Sequence, residues 1–222
     1  MLYLLKESTD LSVIGKNYPQ IQEFDKEDLT QTNLSITDCD GKISSTFHIS
    51  RMIVEKEAKI TDLLSSSPMT NFLILSSKVT EKFAELNLGM YQIFSFDFLY
   101  KNRIYGTHNA MYFVRNPEVL NLIDWDKSKF YKTKDWHKTI LDEYKFTNWD
   151  EMRDFHKQFW GHKDFSLLYK LKINYENQFD LVNFRYPGFP SGYVCTEKLK
   201  NLIENEGFTG FAFEMVNDEY FV

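Results

Sequence analysis

The residues best placed to do chemistry in this sequence are its two cysteines, Cys39 and Cys195. Cys195 ends a short apolar run and comes directly before a segment with helical periodicity, and a helix N-terminus can lower the pKa of a thiol. That position would suit a nucleophile, although no surrounding residues match a cysteine hydrolase. Burial in the core is the alternative, because cysteine is among the residues most often buried. Cys39 lies between Asp38 and Asp40, which disfavour a thiolate.

Two pairs of ionisable residues have a spacing worth testing for function. His156 and His162 are six residues apart, so they share no helical face and lack the spacing of a metal-binding pair. Asp124 and Asp126 would point to the same side of a strand, where two carboxylates could form an acid–base or metal pair. Neither pair comes with a Gly-rich phosphate loop or an HExxH motif. The sequence therefore predicts a protein that is not an enzyme, with no metal and no cofactor.

Aromatic residues are concentrated in one part of the chain. All four tryptophans, Trp125, Trp136, Trp149 and Trp160, fall within a window of 36 residues. From position 124 to 164 the chain has nine basic and nine acidic residues, and a groove that tracks nucleic acid should be basic rather than neutral. Two interpretations stay open: an aromatic mini-core beneath an insertion, or a partner-binding surface anchored by Trp125, Trp136 and Trp149.

The elements that must position these residues are clearest between positions 72 and 98. Residues 72–75 are a continuous apolar run typical of a buried strand. Ser77, or the serine before it, can cap the helix that follows, and Gly89 is predicted to end that helix because glycine adopts positive φ freely. Residues 90–98 alternate as a second strand. The pattern is a strand–helix–strand unit.

The C-terminal part of the chain repeats this pattern. Residues 193–195 read as a strand, Thr196 as the helix cap, and Gly207 as the helix stop. Residues 208–213 form the next strand, in which Gly210 indicates a bulge or a close backbone approach. Two interpretations are open: ordinary packing units of an α/β chain, or a pseudo-repeat in which both units support one sheet.

The remaining pattern favours strands over helices. Further strands are predicted at 1–5, 43–54, 111–114, 165–173 and 179–184, and a helix capped by Asn148 at 148–160. The sequence thus predicts an α+β fold: a central, mostly antiparallel sheet with a few helices packed on one face, including the two strand–helix–strand units. We expect one domain, 1–222, in which 131–164 is an aromatic-rich insertion.

Composition limits the partners of the protein. The formal net charge is −6, from 26 basic and 32 acidic residues, which disfavours nucleic acid and anionic membranes, since both require a basic face. No apolar run reaches the length of about 20 residues that a membrane helix needs, and the first residues lack the features of a signal peptide. With two unrelated cysteines as well, the sequence predicts a cytoplasmic protein.

Four segments together carry a resemblance to a known family. They are residues 73–79 (LILSSKV), 123–130 (IDWDKSKF), 194–199 (VCTEKL) and 207–213 (GFTGFAF). Their order resembles immunity family 11 of bacterial polymorphic toxin systems, first catalogued as a domain of unknown function and typified by a myxobacterial protein. The similarity covers roughly residues 60–130 and 165–215, whereas 131–164 is longer and more aromatic than the family pattern.

The resemblance implies a cytoplasmic protein that binds and blocks a toxin made beside it, with no catalysis. It implies structural roles for Asp126, Ser128 and Gly210, and the first two fit a turn in which side chains bond the backbone. The leading hypothesis is therefore an immunity protein that neutralises its cognate toxin by stoichiometric occlusion. The alternatives are an adaptor or scaffold that loads effectors onto a secretion system, and an enzyme with a non-standard site at Cys195 or Asp124 and Asp126.

Overall fold

In the computed structural model, the chain forms three β-sheets with short helices packed against them, which confirms the predicted α+β class. The structure describes residues 1–28, 41–43, 47–114, 117–134, 139–158, 166–174, 179–184, 192–216 and 220–221. The strands are β1 (Leu2–Glu7), β2 (Ile21–Phe24), β3 (Met52–Val54), β4 (Leu63–Leu64), β5 (Phe72–Ser76), β6 (Tyr91–Tyr100), β7 (Arg103–Phe113), β8 (Lys129–Lys134), β9 (Thr139–Tyr144), β10 (Ser166–Leu171), β11 (Leu181–Asn183), β12 (Tyr193–Thr196), β13 (Phe211–Met215) and β14 (Tyr220–Phe221). The α-helices are α1 (Leu11–Ile14), α2 (Ser77–Phe83), α3 (Trp149–Lys157) and α4 (Glu197–Asn205), and 3₁₀ turns occur at Lys26–Asp28 and Pro117–Leu122.

The single central sheet that the sequence predicts is divided into three. The largest has the order β2-β3-β6-β7-β5-β4, and the two others have the orders β11-β12-β1-β13 and β14-β10-β8-β9. All pairs are antiparallel except β3 with β6. The long β6–β7 hairpin turns at Lys101 and Asn102, whose φ values of 49° and 62° are those of a primed turn that matches the twist of the strands.

Both predicted strand–helix–strand units are present, and they share a topology. In the first unit, β7 lies between β5 and β6 and runs antiparallel to both. In the second unit, β1 lies between β12 and β13 in the same way. Each unit is therefore a split strand–helix–strand motif with a further strand inserted between its two strands. The inserted strand is β7, the next strand in the chain, in the first unit, and β1, from the start of the chain, in the second. The units support two different sheets, so the hypothesis that both support one sheet is wrong.

Helices α2 and α4 pack together with the first and second sheets in one apolar cluster. Phe83 of α2 and Leu199 of α4 are fully buried there, beside Leu75 of β5 and Leu5 of β1. An ion pair of 3.0 Å joins Lys82 to Glu206 at the C-terminal ends of the two helices. Burial of the apolar stripes, rather than intrinsic helix propensity, holds such short helices in place.

The helix caps agree with the sequence at one unit and differ at the other. The hydroxyl of Thr196 accepts a hydrogen bond from the backbone N of Leu199 at 3.4 Å, as a cap of α4 should. The predicted serine cap of α2 is not formed, because Ser76 donates its hydroxyl to the Asp62 carboxylate at 2.8 Å. Ser77 instead donates its hydroxyl to the carbonyl of Thr107 on β7 at 3.2 Å.

Gly210 lies where the second sheet meets the edge of the first. Its φ is +89°, and a Cβ built there would be 2.1 Å from the carbonyl oxygen of Leu63. The backbone N of Leu63 donates to the carbonyl of Thr209 at 3.0 Å, and the backbone N of Ser8 donates to the carbonyl of Gly210 at 2.8 Å. The close backbone approach predicted at this glycine therefore joins β4 to the start of β13.

The third sheet holds the described part of the aromatic segment 131–164. Strand β8 pairs with β10 and β9, and α3 begins after Asn148, whose side chain accepts from the backbone N of Glu151 at 3.0 Å. Phe130 is the centre of an aromatic cluster. The ring of Phe146 lies edge-on to it, with the two ring centres 4.9 Å apart. The same cluster includes Val194 of the second sheet, so this segment shares its core with the rest of the chain.

One predicted strand is much shorter than its pattern indicates. Of the segment 43–54, only β3 is a strand among the described residues; positions 44–46 lie outside them. The backbone N of Arg51 donates to the Asp28 carboxylate at 2.7 Å instead of to a strand, and its guanidinium pairs with Asp25. Immediately before β3, contacts with the Asp28 and Asp25 side chains thus replace the backbone hydrogen bonds of a strand pair.

Candidate functional site

Cys195 is a core residue and does not suit nucleophilic chemistry. It is 0% exposed within β12 and packs in the cluster formed around α2 and α4. Burial raises the pKa of its thiol to about 12, so the thiolate that a nucleophile requires is disfavoured. The hypothesis of a reactive Cys195 is therefore wrong, and the alternative of burial is confirmed. Cys39 lies outside the described residues.

Asp124 and Asp126 form a turn, not a strand, so they are not the paired carboxylates that the spacing allowed. Asp124 accepts from the backbone N of Lys127 at 3.1 Å and pairs with its ammonium at 3.0 Å, and these contacts lower the pKa of the carboxyl. Ser128 is buried, and its hydroxyl donates to the carbonyl of Asp124 at 2.7 Å, a side-chain-to-backbone bond within the turn. Asp126 is exposed, and Asp124 supplies the turn carboxylate that the resemblance implied for Asp126.

Two of the described histidines, His108 and His156, lie in surroundings that remove them from water. His156 is on α3, where desolvation lowers its pKa. His108 is buried on β7, with its Nε2 2.8 Å from the carbonyl oxygen of Thr61, and desolvation likewise lowers its pKa. His162 lies outside the described residues. Within the described ranges, no three His, Cys, Asp or Glu side chains are grouped so that they could hold a metal ion.

Two of the three predicted anchor tryptophans pack against the aromatic cluster. The ring of Trp125 stacks on Phe130 at 6.0 Å, and the guanidinium of Arg153 lies 4.5 Å from the ring centre of Trp149. Both tryptophans are half-buried, which supports the mini-core interpretation of this window. Trp136 lies outside the described residues, and the use of all three as partner anchors stays a prediction.

Strand β9 offers a more exposed surface than the tryptophans. It is the last strand in the order of its sheet, so its outer edge has no strand neighbour in the described part of the chain. Its residues 139–143 are all exposed, and they include Ile140 at 56% and Leu141 at 42%. Asp142 and Glu143 follow directly and give the edge an acidic character. Natural edge strands that keep exposed apolar residues are sites of pairing with another chain.

A cleft of about 590 Å³ lies between the first and second sheets, and sequence reasoning missed it. Its walls come from β1, the segment after α1, residues 66–70, β5 and the start of β12. Glu7 is its most unusual residue. On β1 the side chains of Tyr3 and Leu5 face the apolar cluster, and alternation places Glu7 third on the same face.

Burial dominates the electrostatics of Glu7. The side chain is largely removed from water, which raises the pKa of its carboxyl to about 7. A backbone hydrogen bond from Ser66 and the hydroxyl of Tyr18, 3.4 Å from the carboxylate, lower the pKa and only partly offset this effect. A carboxyl that titrates near neutral pH within a cleft marks a candidate binding or catalytic site. The only sign of this site in the sequence is that Glu7, a charged residue, takes the third position of an alternation in which Tyr3 and Leu5 are apolar.

The titration of Glu7 predicts a loss of stability as the pH rises. The unfolded carboxyl has its ordinary pKa of 4.5 and the folded one about 7, so the folded state holds more protons between these values. Its stability contribution is full below pH 4.5 and is lost as the pH rises through 7, by about 3 kcal/mol in total. We expect Glu7→Gln to be more stable than the natural protein at pH 8 by roughly 2 kcal/mol, measured by urea unfolding.

The control for this prediction is the same comparison at low pH. At pH 4.5 the natural carboxyl is protonated in the folded state and resembles the amide, so the two proteins should unfold at similar urea concentrations. An equal difference at both pH values would show that Glu7 does not titrate between them. Other ionisable groups are common to both proteins, so they cancel in the difference.

Comparisons with protein-family models, curated proteins and solved structures found no match to this chain. Within the described ranges, each helix is too short or too polar to cross a bilayer. Fold and site together define only a class of protein: an α+β protein of three sheets, with an exposed edge strand and a cleft that contains a partly buried carboxyl.

Proposed function

We propose that this protein is a cytoplasmic immunity protein that binds its cognate bacterial toxin and neutralises it by stoichiometric occlusion. The exposed edge strand β9 is the observation that carries the binding part of the proposal. The narrower part, that the partner is a toxin, rests on the four segments that resemble immunity family 11. Neither part requires nucleic acid, a membrane or a cofactor.

The edge of β9 has what strand addition needs. A partner strand can pair with its backbone N–H and C=O groups, which supply affinity in β-augmentation. The side chains of Ile140 and Leu141 supply apolar area on either side of the new pair. A bulge between Lys132 and Thr133 of the β8 pairing leaves Leu141 as the extra residue of β9.

Charge favours a basic partner. Asp142 and Glu143 lie on the exposed strand, and Asp150 and Glu151 occupy the exposed first turn of the neighbouring α3. The whole chain carries a net charge of −6. Acidic surfaces speed encounters with basic ones and suppress wrong partners, and a toxin that acts on an anionic substrate has such a basic surface.

Co-expression tests the proposal. The toxin encoded by the neighbouring gene should stop growth when produced alone, and growth should return when this protein is produced with it. Ile140→Lys should reduce the affinity of the purified pair at least tenfold, a cost of about 1.4 kcal/mol, and should weaken rescue. Affinity is measured by calorimetry, and circular dichroism verifies that the variant is folded.

The matched control is Ile104→Lys. Ile104 is on the β6–β7 hairpin of a different sheet and is 57% exposed, almost the same as Ile140. It should leave affinity and rescue unchanged. Full rescue by both variants would place the binding surface elsewhere than β9. A protein that neither binds the toxin nor restores growth would contradict the immunity proposal, whereas binding without protection would favour the adaptor alternative.

A further inference from the structure

We propose that the cleft beside Glu7 is a binding site for a small organic cation, a primary ammonium group attached to an apolar body. The site is separate from β9, which belongs to the third sheet, and the inference does not depend on the immunity proposal. It rests on the position of the carboxyl, the groups around it and the lining of the cleft.

Glu7 has no cationic partner among the described residues. The groups within reach of its carboxylate are the Tyr18 hydroxyl and the backbone of Ser66, and no described lysine, arginine or histidine is paired with it. Lys6 also lines the cleft, but its ammonium is already paired with Glu214 of β13. A carboxylate held in an apolar environment without a counter-ion is costly, and a ligand ammonium would supply the missing charge.

Hydrogen-bonding groups for an ammonium lie beside the carboxylate. Ser66 lines the cleft and is 6% exposed, and its hydroxyl oxygen has no hydrogen-bond partner among the described residues. Tyr18 also lines the cleft and is half-exposed, and its hydroxyl oxygen, 3.4 Å from the Glu7 carboxylate, can accept a hydrogen bond. An ammonium has three N–H donors, and the Glu7 carboxylate and these two hydroxyls match that number.

The remaining walls suit a hydrocarbon or aromatic body. Leu73, Phe72 and Tyr193 line the cleft with apolar and aromatic surface. A volume of about 590 Å³ lies within the range that accommodates small organic ligands. Among the described residues that line the cleft, Glu7, Lys6, Tyr18 and Tyr193 are titratable, and Glu7 is the carboxyl of this set.

Calorimetry with phenethylamine as the probe tests the site. At pH 8 the probe should bind to the natural protein, and Glu7→Gln should weaken binding at least tenfold. Because the free protein holds a proton on Glu7 at lower pH, binding at pH 6 should be about tenfold weaker than at pH 8 and should release a proton. Titrations in two buffers of different ionisation enthalpy measure that proton.

Two controls separate the ammonium from the hydrocarbon and the site from the surface. 2-Phenylethanol, which lacks the charge, should bind at least tenfold more weakly than phenethylamine. Glu81→Gln removes an exposed carboxylate on α2, outside the cleft, and should leave phenethylamine binding unchanged. The proposal is overturned if phenethylamine does not bind at pH 8, if Glu7→Gln binds it equally well, or if the alcohol binds as tightly as the amine.

Discussion

Replacing Gly210 with alanine is expected to lower the free energy of unfolding by roughly 3–5 kcal/mol. An added Cβ would lie 2.1 Å from the Leu63 carbonyl oxygen and 2.8 Å from the Thr61 hydroxyl, and the residue has a φ of +89°. The first contact is with backbone, which cannot rotate away. Relief would require β13 to move from β4, with loss of the hydrogen bond from Leu63 to Thr209. Urea unfolding measures the change.

Gly207→Ala is the matched control for this prediction. Gly207 is three residues earlier and also has positive φ, +69°, but a Cβ there meets nothing within 4 Å. The control should cost only about 1 kcal/mol, the penalty of a left-handed conformation for alanine. If the two variants were equally stable, the close approach of β13 to β4 would not exist in solution.

Phe130→Ala is expected to destabilise the protein by about 4 kcal/mol, because a fully buried aromatic side chain leaves a cavity. The Phe130 ring contacts Phe146 at 4.9 Å and Tyr169 at 5.9 Å, both edge-on, and stacks with Trp125 at 6.0 Å. Such pairs contribute beyond their buried area. The change is measured as the shift of the urea midpoint at constant slope.

Two further variants give this prediction a scale. Phe130→Leu keeps most of the volume and should cost less than about 1.5 kcal/mol. Ile104→Ala, at an exposed position, should change stability by less than about 0.5 kcal/mol. A cost below about 1 kcal/mol for Phe130→Ala would mean that the aromatic window is not a packed core, and would favour its interpretation as a partner surface.

The two proposed sites can fail independently. Strand β9 belongs to the third sheet, and the Glu7 cleft lies between the first and second sheets. Ile140→Lys should therefore leave phenethylamine binding unchanged, and Glu7→Gln should leave toxin rescue unchanged. If both variants altered both readouts, the explanation would be a change in the fold, which circular dichroism would detect.

Local patterns predicted the units of this fold well. Gly89 is not the residue that ends α2, since that helix stops at Phe83, but the apolar run of β5, the stripe that buries Val79 and Phe83, and Gly207 after α4 have their expected roles. These features depend on interactions within about ten residues, which a sequence displays directly. The serine cap of α2 failed for a tertiary reason, since Ser76 binds Asp62 of a neighbouring segment instead.

Positions of chemical interest were predicted less well, because pKa values depend on surroundings distant in the chain. The thiol of Cys195 was a candidate nucleophile by its place before a helix, yet packing from the first and second sheets desolvates it. No local pattern distinguishes Glu7 within its short strand, yet Tyr18 and Ser66 lie around it in the fold. Desolvation is a sum over neighbours in space, and no local pattern contains that sum.

The sequence by itself determined the α+β class, the two strand–helix–strand units and the glycine stop of α4 at Gly207. The tertiary structure decided that β7 and β1 lie in the middle of those units. It also decided that the strands are divided among three sheets. The reason is physical: strand pairing is carried by backbone groups that all residues share, so the pairing of Tyr3 with Cys195 leaves no mark on either residue type. The edge position of β9 in the third sheet and the position of Glu7 at the end of β1 in the second sheet both follow from which strands pair.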